Sequence, residues 1–182
     1  MNGARRLTTF GAVTLLGMLV LPPSAASEAR IVRGGHACTI TGTNGDDELH
    51  GTPGPDVICG LRGADLIEAR GGNDIVLAGA GGDLVEGGFG ADTIRGQKGP
   101  DILLGGEGRD RVIGGPGRDD VRGELGRDRI VGGPGSDFCL SAMDDHPGDR
   151  VVGGEGDDTA DRDDGDHVRG VEHITSNVCF GG

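Results

Sequence analysis

The sequence predicts an all-β protein, a solenoid of short parallel strands rather than a fold around a globular core. The first observation is a nine-residue unit that recurs eleven times over residues 42–140 without insertion or deletion. The second is composition, since 40 glycines, four phenylalanines and no tryptophan or tyrosine cannot supply an ordinary core. The third is an aspartate that keeps its place in every copy. A fixed period of this length indicates stacked repeats.

Each position of the unit has a structural reason. An apolar residue two places after the aspartate is the centre of a short strand, and it points inward because strand side chains alternate between faces. Glycines before the aspartate turn the chain back, since glycine adopts turn conformations at little steric cost. The first glycine is alanine in two copies, Ala69 and Ala78. The inward residues are Leu49, Ile58, Ile67, Val76, Val85, Ile94, Leu103, Val112, Val121, Ile130 and Cys139.

Two units form one coil of eighteen residues, with a strand on each side. Successive coils stack about 4.8 Å apart, so aspartates eighteen residues apart lie above one another. Stacked carboxylates at that distance repel each other, which indicates cations between the coils. The turns offer carboxylate and backbone carbonyl oxygens as ligands and no nitrogen or sulfur, and such a flexible all-oxygen set favours calcium. One column contains Asp47, Asp65, Asp83, Asp101, Asp119 and Asp137, and the other contains Asp56, Asp74, Asp92, Asp110 and Asp128.

The unit reads GGxGxDxUx, where U is a large aliphatic residue, and its best copies are 105–113 and 114–122. This pattern resembles the hemolysin-type calcium-binding repeat of RTX proteins, in a small secreted bacterial form. The resemblance implies a parallel β-roll, a right-handed β-solenoid, with calcium held in the turns between coils. Five adjacent pairs in one column and four in the other give up to about nine Ca²⁺ ions. We expect weaker binding where the second glycine is replaced, at Thr43, Thr52, Leu61, Arg70, Gln97 and Glu124.

The flanking segments predict an exported chain with capped ends. Arg5 and Arg6 precede an apolar run and a small-residue cleavage site, which indicates a signal peptide with cleavage after residue 26 or residue 29. The run is too short for a membrane span, and the mature chain has no other. Asp158 restarts the motif 21 residues after Asp137 and is a further predicted calcium ligand. The predicted segments are 1–26 (signal peptide), 27–41 (N-terminal cap), 42–140 (the eleven-repeat roll) and 141–182 (a degenerate last coil and C-terminal cap).

Four cysteines remain after signal removal. An even number in an exported protein predicts two disulfides, with three possible connectivities. Pairing neighbours as Cys38–Cys59 and Cys139–Cys179 would staple each end of the solenoid, and solenoid ends need capping. A thiol metal site is disfavoured because the chain has no CxxC pair.

The predicted function is that of a secreted, monomeric calcium-binding protein that is not an enzyme. One aliphatic residue in nine buries too little apolar surface to offset the ordering of the backbone, so we expect the calcium-free chain to be unfolded. A net charge of −13 disfavours nucleic acid as a partner. The alternative is a calcium-dependent adhesin or cell-surface matrix component that binds a cell-wall or extracellular polymer. A secreted hydrolase is less favoured, since neither GxSxG nor HExxH occurs. A catalytic triad could be assembled from Ser141, Asp144 and His146, but ordinary composition supplies such residues freely.

Two further clusters each have two interpretations. A transition-metal site at His167 and His173, near Asp163, Asp164 and Asp166, is less favoured than a solvated cap because zinc spacing is absent. Arginines crowd the later repeats. We favour the interpretation that these arginines offset the charge of the acidic columns over the alternative that they bind an anionic surface. These arginines are Arg109, Arg111, Arg118, Arg122, Arg127 and Arg129.

Overall fold

The computed structural model describes residues 37–142, 147–162 and 164–175 of the 182-residue chain. The predicted signal peptide (1–26) and Cys179 lie outside these residues, and so do Asp144, His146 and Asp163. Among the described residues, no helix has the length and apolar character needed to cross a membrane.

The described chain is all-β and forms two parallel sheets of eight strands, which alternate along the sequence. The odd-numbered sheet contains β1 (Ile40–Thr41), β3 (Val57–Arg62), β5 (Ile75–Ala80), β7 (Thr93–Lys98), β9 (Arg111–Ile113), β11 (Arg129–Pro134), β13 (Arg150–Glu155) and β15 (His167–Arg169). The even-numbered sheet contains β2 (Glu48–His50), β4 (Leu66–Glu68), β6 (Leu84–Gly90), β8 (Ile102–Gly108), β10 (Asp120–Gly126), β12 (Phe138–Ala142), β14 (Thr159–Arg162) and β16 (His173–Thr175).

The register between strands follows the eighteen-residue coil. Ile58 of β3 pairs with Val76 of β5, and Val76 pairs in turn with Ile94 of β7. The even-numbered sheet repeats the pattern, where Val85 of β6 pairs with Leu103 of β8. The predicted parallel β-roll is therefore confirmed.

Many strands are longer than the short strand predicted around each inward residue. β6 and β8 each extend over seven residues, because Gly88 pairs with Gly106 and Gly90 with Gly108 after the aliphatic segment ends. The glycines therefore do more than turn the chain, since they also form backbone contacts between coils.

The core is one file of side chains between the two sheets. The inward position of each repeat from Ile58 to Ile130 is fully buried, and Ala69 and Ala78 join the same cluster. Leu49 at the N-terminal end is only partly buried, as expected for the first coil. Each coil therefore buries only a few apolar side chains, as the sequence predicts.

The eleventh repeat departs from the prediction that Cys139 points into the core. A β-bulge between β10 and β12 shifts the register, so that Leu140 pairs with Ala160 and takes the core position. Cys139 has a positive φ of 56° and is buried beside the core file. The extra residue of the bulge turns Cys139 out of the alternating pattern.

A disulfide joins Cys38 to Cys59, with a Cα–Cα distance of 6.0 Å. It fastens the chain before β1 to strand β3 and staples the N-terminal end as predicted. Cys139 is also disulfide-bonded. Its predicted partner, Cys179, lies outside the described residues, so the second pair stays a prediction.

Candidate calcium sites along the aspartate columns

The repeat aspartates form two continuous columns, one at the entry to each sheet. The backbone N–H of each aspartate donates to Oδ1 of the aspartate one coil later, over 2.7–3.1 Å. Asp83 and Asp101 illustrate the link, with 3.0 Å between Asp83 N and Asp101 Oδ1. One carboxylate oxygen of each member after the first therefore holds the preceding coil in register.

The columns continue beyond the regular array. Asp128 donates to Asp149, and Asp137 donates to Asp158, each across 21 residues instead of eighteen. Asp149 donates in turn to Asp166. The sequence predicts Asp158 as a ligand, 21 residues after Asp137, but Asp149 and Asp166 were not predicted to be column members. Both keep the local signal of an aspartate two places before a valine.

The second carboxylate oxygen of most column members is buried and accepts no hydrogen bond. It points toward the first glycine of its own repeat: a Cβ added to Gly87 would lie 2.8 Å from Oδ2 of Asp92, and one added to Gly105 would lie 2.8 Å from Oδ2 of Asp110. The aspartates whose Oδ2 atoms are buried without a hydrogen-bond partner include Asp65, Asp74, Asp83, Asp92, Asp101, Asp110, Asp119, Asp137 and Asp158.

The N-terminal members of the columns have a different environment. Thr52 donates its backbone N–H to Oδ2 of Asp56 over 2.7 Å, and Thr43 makes the same contact to Asp47 over 2.6 Å. The pKa of Asp56 is lowered, and the hydrogen bond from the Thr52 backbone N–H is the largest cause. The two threonines stand where other repeats have the second glycine. In the first coil each threonine therefore donates a hydrogen bond to the aspartate of its own repeat.

The same position carries backbone strain in four other repeats. Leu61, Arg70, Gln97 and Glu124 have φ values between 68° and 86°, in the left-handed region. Glycine adopts this conformation freely, whereas other residues do so at a cost. The roll therefore imposes the turn geometry even where the sequence departs from the motif.

Burial raises the pKa of the aspartates in the middle of the columns. Desolvation is the largest cause for each of them, the backbone N–H from the preceding coil opposes it, and neighbouring aspartates add to it at several members. The pKa of Asp101 rises to about 7. The pKa values of Asp74, Asp110, Asp119 and Asp137 rise to about 6. The columns therefore hold carboxylates that lack a counter-charge.

A family model of the RTX calcium-binding nonapeptide repeat, four copies long, matches the chain in overlapping windows. The windows are 41–76, 50–85, 77–112, 86–121 and 104–139, and together they cover more than half of the sequence. The chain belongs to this RTX repeat family. No curated protein and no solved structure matches it.

RTX repeats bind calcium, and the donor set of the columns fits that ion. Among the described residues, no group of three or more His, Cys, Asp or Glu side chains is placed to hold a metal. Each site between coils would therefore combine the carboxylates of two stacked aspartates with backbone carbonyl oxygens of the glycine turns. Calcium accepts such flexible, all-oxygen coordination. The ligand role of individual aspartates stays a prediction.

The other candidate sites do not gain support. His167 belongs to β15 and His173 to β16, in opposite sheets, and His173 Nε2 lies 3.0 Å from Oδ1 of Asp157. Of the three residues that could compose a triad, Ser141 is described and is buried, whereas Asp144 and His146 lie outside the described residues.

The raised pKa values predict how the calcium-free chain responds to acid. In the unfolded chain these carboxyls titrate near pH 4. The folded roll therefore binds more protons than the unfolded chain between about pH 4 and pH 7, and folding becomes less favourable as the pH rises through that window. We expect circular dichroism in chelator to show more β-structure at about pH 4.5 than at about pH 7.5. Equal or greater β-structure at the higher pH would contradict the desolvated columns.

Proposed function

We propose that this RTX-family protein is exported as an unfolded chain and folds outside the cell when several calcium ions bind between its stacked turns. The observation that supports this most directly is the row of buried Oδ2 atoms that accept no hydrogen bond. Buried carboxylates without a partner destabilise a fold. A divalent cation between neighbouring coils would remove that cost and join the coils at the same time.

The proposed ligands are the aspartates of both columns together with nearby turn carbonyls. We add Asp149 and Asp166, because they continue the second column. Each column then has six adjacent pairs, which raises the upper limit from about nine sites to about twelve. The predicted ligands from sequence are Asp47, Asp56, Asp65, Asp74, Asp83, Asp92, Asp101, Asp110, Asp119, Asp128, Asp137 and Asp158.

Export and extracellular folding are supported by the cysteine chemistry. The Cys38–Cys59 disulfide is of the kind that persists in oxidising compartments, and the predicted signal peptide (1–26) would direct the chain there. Calcium is scarce in the cytosol and plentiful outside, so metal-dependent folding would keep the chain extended until export is complete. The proposal includes no catalytic step and treats the folded rod as a monomer.

Replacing Asp101 by asparagine tests the role of the columns. Asparagine retains the oxygen that accepts the Asp83 N–H over 3.0 Å, but it removes the buried charge. We expect isothermal titration of D101N to show the loss of one or two bound calcium ions and a calcium midpoint about tenfold higher. In chelator we expect the opposite effect, a D101N fold that is less unstable than that of the unsubstituted chain. The reason is that the substitution removes a desolvated carboxylate.

Asp46→Asn is the matched control for this experiment. Asp46 is exposed and lies outside the columns, and its Oδ1 accepts the Ala64 N–H over 2.8 Å, which asparagine can also do. The control should keep the calcium stoichiometry and midpoint of the unsubstituted chain. Equal calcium binding by D101N and the unsubstituted chain would remove Asp101 from the ligand set.

An adhesin or matrix component is the second candidate function. It is favoured by a file of exposed apolar side chains on the outer face of the even-numbered sheet, where Leu66, Leu84 and Ile102 pair in register. Exposed apolar area of this kind often marks an interaction surface. Sedimentation of the protein with cell-wall material, in calcium and in chelator, separates an adhesive rod from a passive calcium binder.

A further inference from the structure

The outer face of the odd-numbered sheet carries a ladder of positive side chains. Arg111 of β9 pairs with Arg129 of β11, Arg129 pairs with Arg150 of β13, and Arg150 pairs with His167 of β15. All four side chains are exposed. We call Arg111, Arg129 and Arg150 the arginine ladder. Parallel strands lie about 4.8 Å apart, so the ladder repeats one guanidinium at that interval.

The surroundings of the ladder extend it into a shallow groove. On the side of the turns, Arg109 and Arg127 line the same depression as the ladder, and Arg127 Nε donates to the carbonyl oxygen of Gly148 over 3.1 Å. On the other side the surface is partly apolar. That flank consists of Ile113, Val131 and Val152, with Arg95 beyond one end and Arg169 beyond the other.

Among the described residues, no direct ion pair joins the ladder to the acidic columns. Within the described residues, the one arginine with an ion pair is Arg122, which contacts Asp120 over 2.8 Å. Asp110 and Asp128 lie at the base of the groove, but they are buried and their Oδ1 atoms accept backbone N–H groups. Compensation of the columns, the interpretation that the sequence favours, therefore involves no direct ion pair and stays a prediction, since the ladder and these aspartates line one groove.

Repetition of arginine along the ladder has an energetic cost. Like charges directly opposite each other on neighbouring strands destabilise a sheet. The arginines nevertheless occupy the same register on three consecutive strands of the odd-numbered sheet, in a chain of net charge −13. A ligand with matching negative charges would reverse the cost.

We propose that the arginine ladder binds an extended anionic polysaccharide that has one carboxylate on each sugar. Such a chain presents its charges at intervals of about one pyranose ring, close to the strand spacing of about 4.8 Å. Each carboxylate receives two parallel hydrogen bonds from one guanidinium. The apolar strip of Ile113, Val131 and Val152 packs against the C–H faces of the rings.

The same surface is less suited to nucleic acid. Proteins that bind single strands stack bases on aromatic side chains, and the residues that line the ladder groove include no phenylalanine, tyrosine or tryptophan. A polyuronate needs no aromatic platform, because its carboxylates pair with guanidinium groups and its rings pack against aliphatic side chains.

The ladder exists only in the folded roll. Arg111 and Arg129 are eighteen residues apart in sequence, and Arg129 and Arg150 are 21 apart, so an unfolded chain scatters them. Polysaccharide binding therefore rests on the proposed calcium-dependent folding. Circular dichroism of every sample keeps the two proposals distinguishable.

The test measures binding of galacturonate oligomers, one to six sugars long, to the oxidised, calcium-loaded protein by isothermal titration. Short oligomers avoid the calcium-driven gelation of long polyuronates. We expect the affinity to increase with length to about four sugars, one for each of the three arginines and His167, and then to level off. Neutral glucose oligomers of equal length should not bind.

The triple variant R111Q/R129Q/R150Q should bind a four-sugar oligomer about tenfold more weakly or worse, because three charge-assisted contacts are lost. The control R62Q/R118Q/R162Q removes the same charge from exposed arginines outside the ladder and should bind within about twofold of the unsubstituted chain. Equal weakening of oligomer binding in both variants would show that binding depends only on net charge, and it would contradict the proposal that the arginine ladder is the binding site.

Four other results are also decisive. Unchanged binding by the ladder variant would mean that calcium bridges the carboxylates to the aspartates, which contradicts the proposal. Tighter binding of an equally long thymidine oligomer would assign the surface to nucleic acid instead. A chain with β-structure that binds no oligomer overturns the ladder alone, whereas a chain that never gains β-structure in calcium contradicts the proposed function and leaves no ladder to bind.

Discussion

We expect the oxidised chain without the predicted signal peptide (1–26) to be unfolded in chelator at neutral pH and to gain a β-sheet circular dichroism spectrum on calcium titration. The change should be cooperative, with a midpoint of about 10⁻⁴ to 10⁻³ M, the range of extracellular calcium modules. Cooperativity follows from the geometry, because each aspartate contacts the coil on either side of it. Asp101, for example, accepts the Asp83 N–H and donates its own to Asp119.

The physical reason is that the apo fold buries more charge than it can stabilise. Its core is one file of aliphatic side chains, while the columns place desolvated carboxylates in every coil after the first. Magnesium, which demands tight octahedral geometry, should not replace calcium at equal concentration. Chelator should reverse the transition. A β spectrum that is complete in chelator and unchanged by calcium would refute calcium-dependent folding.

The period of the sequence was sufficient to predict the architecture. A nine-residue unit with one inward residue requires two strands per coil, and the observed pairing of Ile58 with Val76 has the predicted offset of eighteen residues. The position of the aspartates in two columns follows from the same offset. These features depend only on side-chain alternation and strand spacing, which a sequence displays directly.

The pairing of glycine segments could not be predicted in the same way. Gly88 pairs with Gly106 through backbone atoms alone, and a side-chain pattern contains no record of that contact. The positive φ at Leu61 and Arg70 is similarly hidden, because it is imposed by the neighbouring coils rather than by the residues themselves. Tertiary context overrides local preference at these positions.

The last coils show the limit of a search by fixed period. Asp149 and Asp166 were missed because their units lack one residue of the nonapeptide, although both keep an aspartate two places before an inward valine. At the end of the other column, Glu172 Oε2 accepts the Asp158 N–H over 3.0 Å and takes the place of an aspartate. A search for the short Asp-x-aliphatic signal would have found the two aspartates, whereas Glu172 required the structure.

Gly108→Ala should have a large destabilising effect, although it adds a single methyl group. Gly108 has a φ of 145°, and a Cβ there would overlap the carbonyl oxygen of Gly90 and lie 2.7 Å from its carbonyl carbon. Both contacts are backbone of the adjoining coil, so neither can move without separating the coils. We expect a loss of at least about 3 kcal/mol in the free energy of unfolding in saturating calcium, measured with urea.

Gly54→Ala provides the matched control, because Gly54 occupies the same position of its repeat in the first coil. Its Cβ would meet only Thr52 Oγ1, at 3.9 Å, and its φ lies outside the left-handed region. We expect a change within about 0.5 kcal/mol. Because a solenoid is stabilised by contacts between neighbouring repeats, the central substitution should also split the single unfolding transition into two. Similar effects of the two alanines would show that close backbone contact between coils does not limit stability, and that the glycines serve the turns alone.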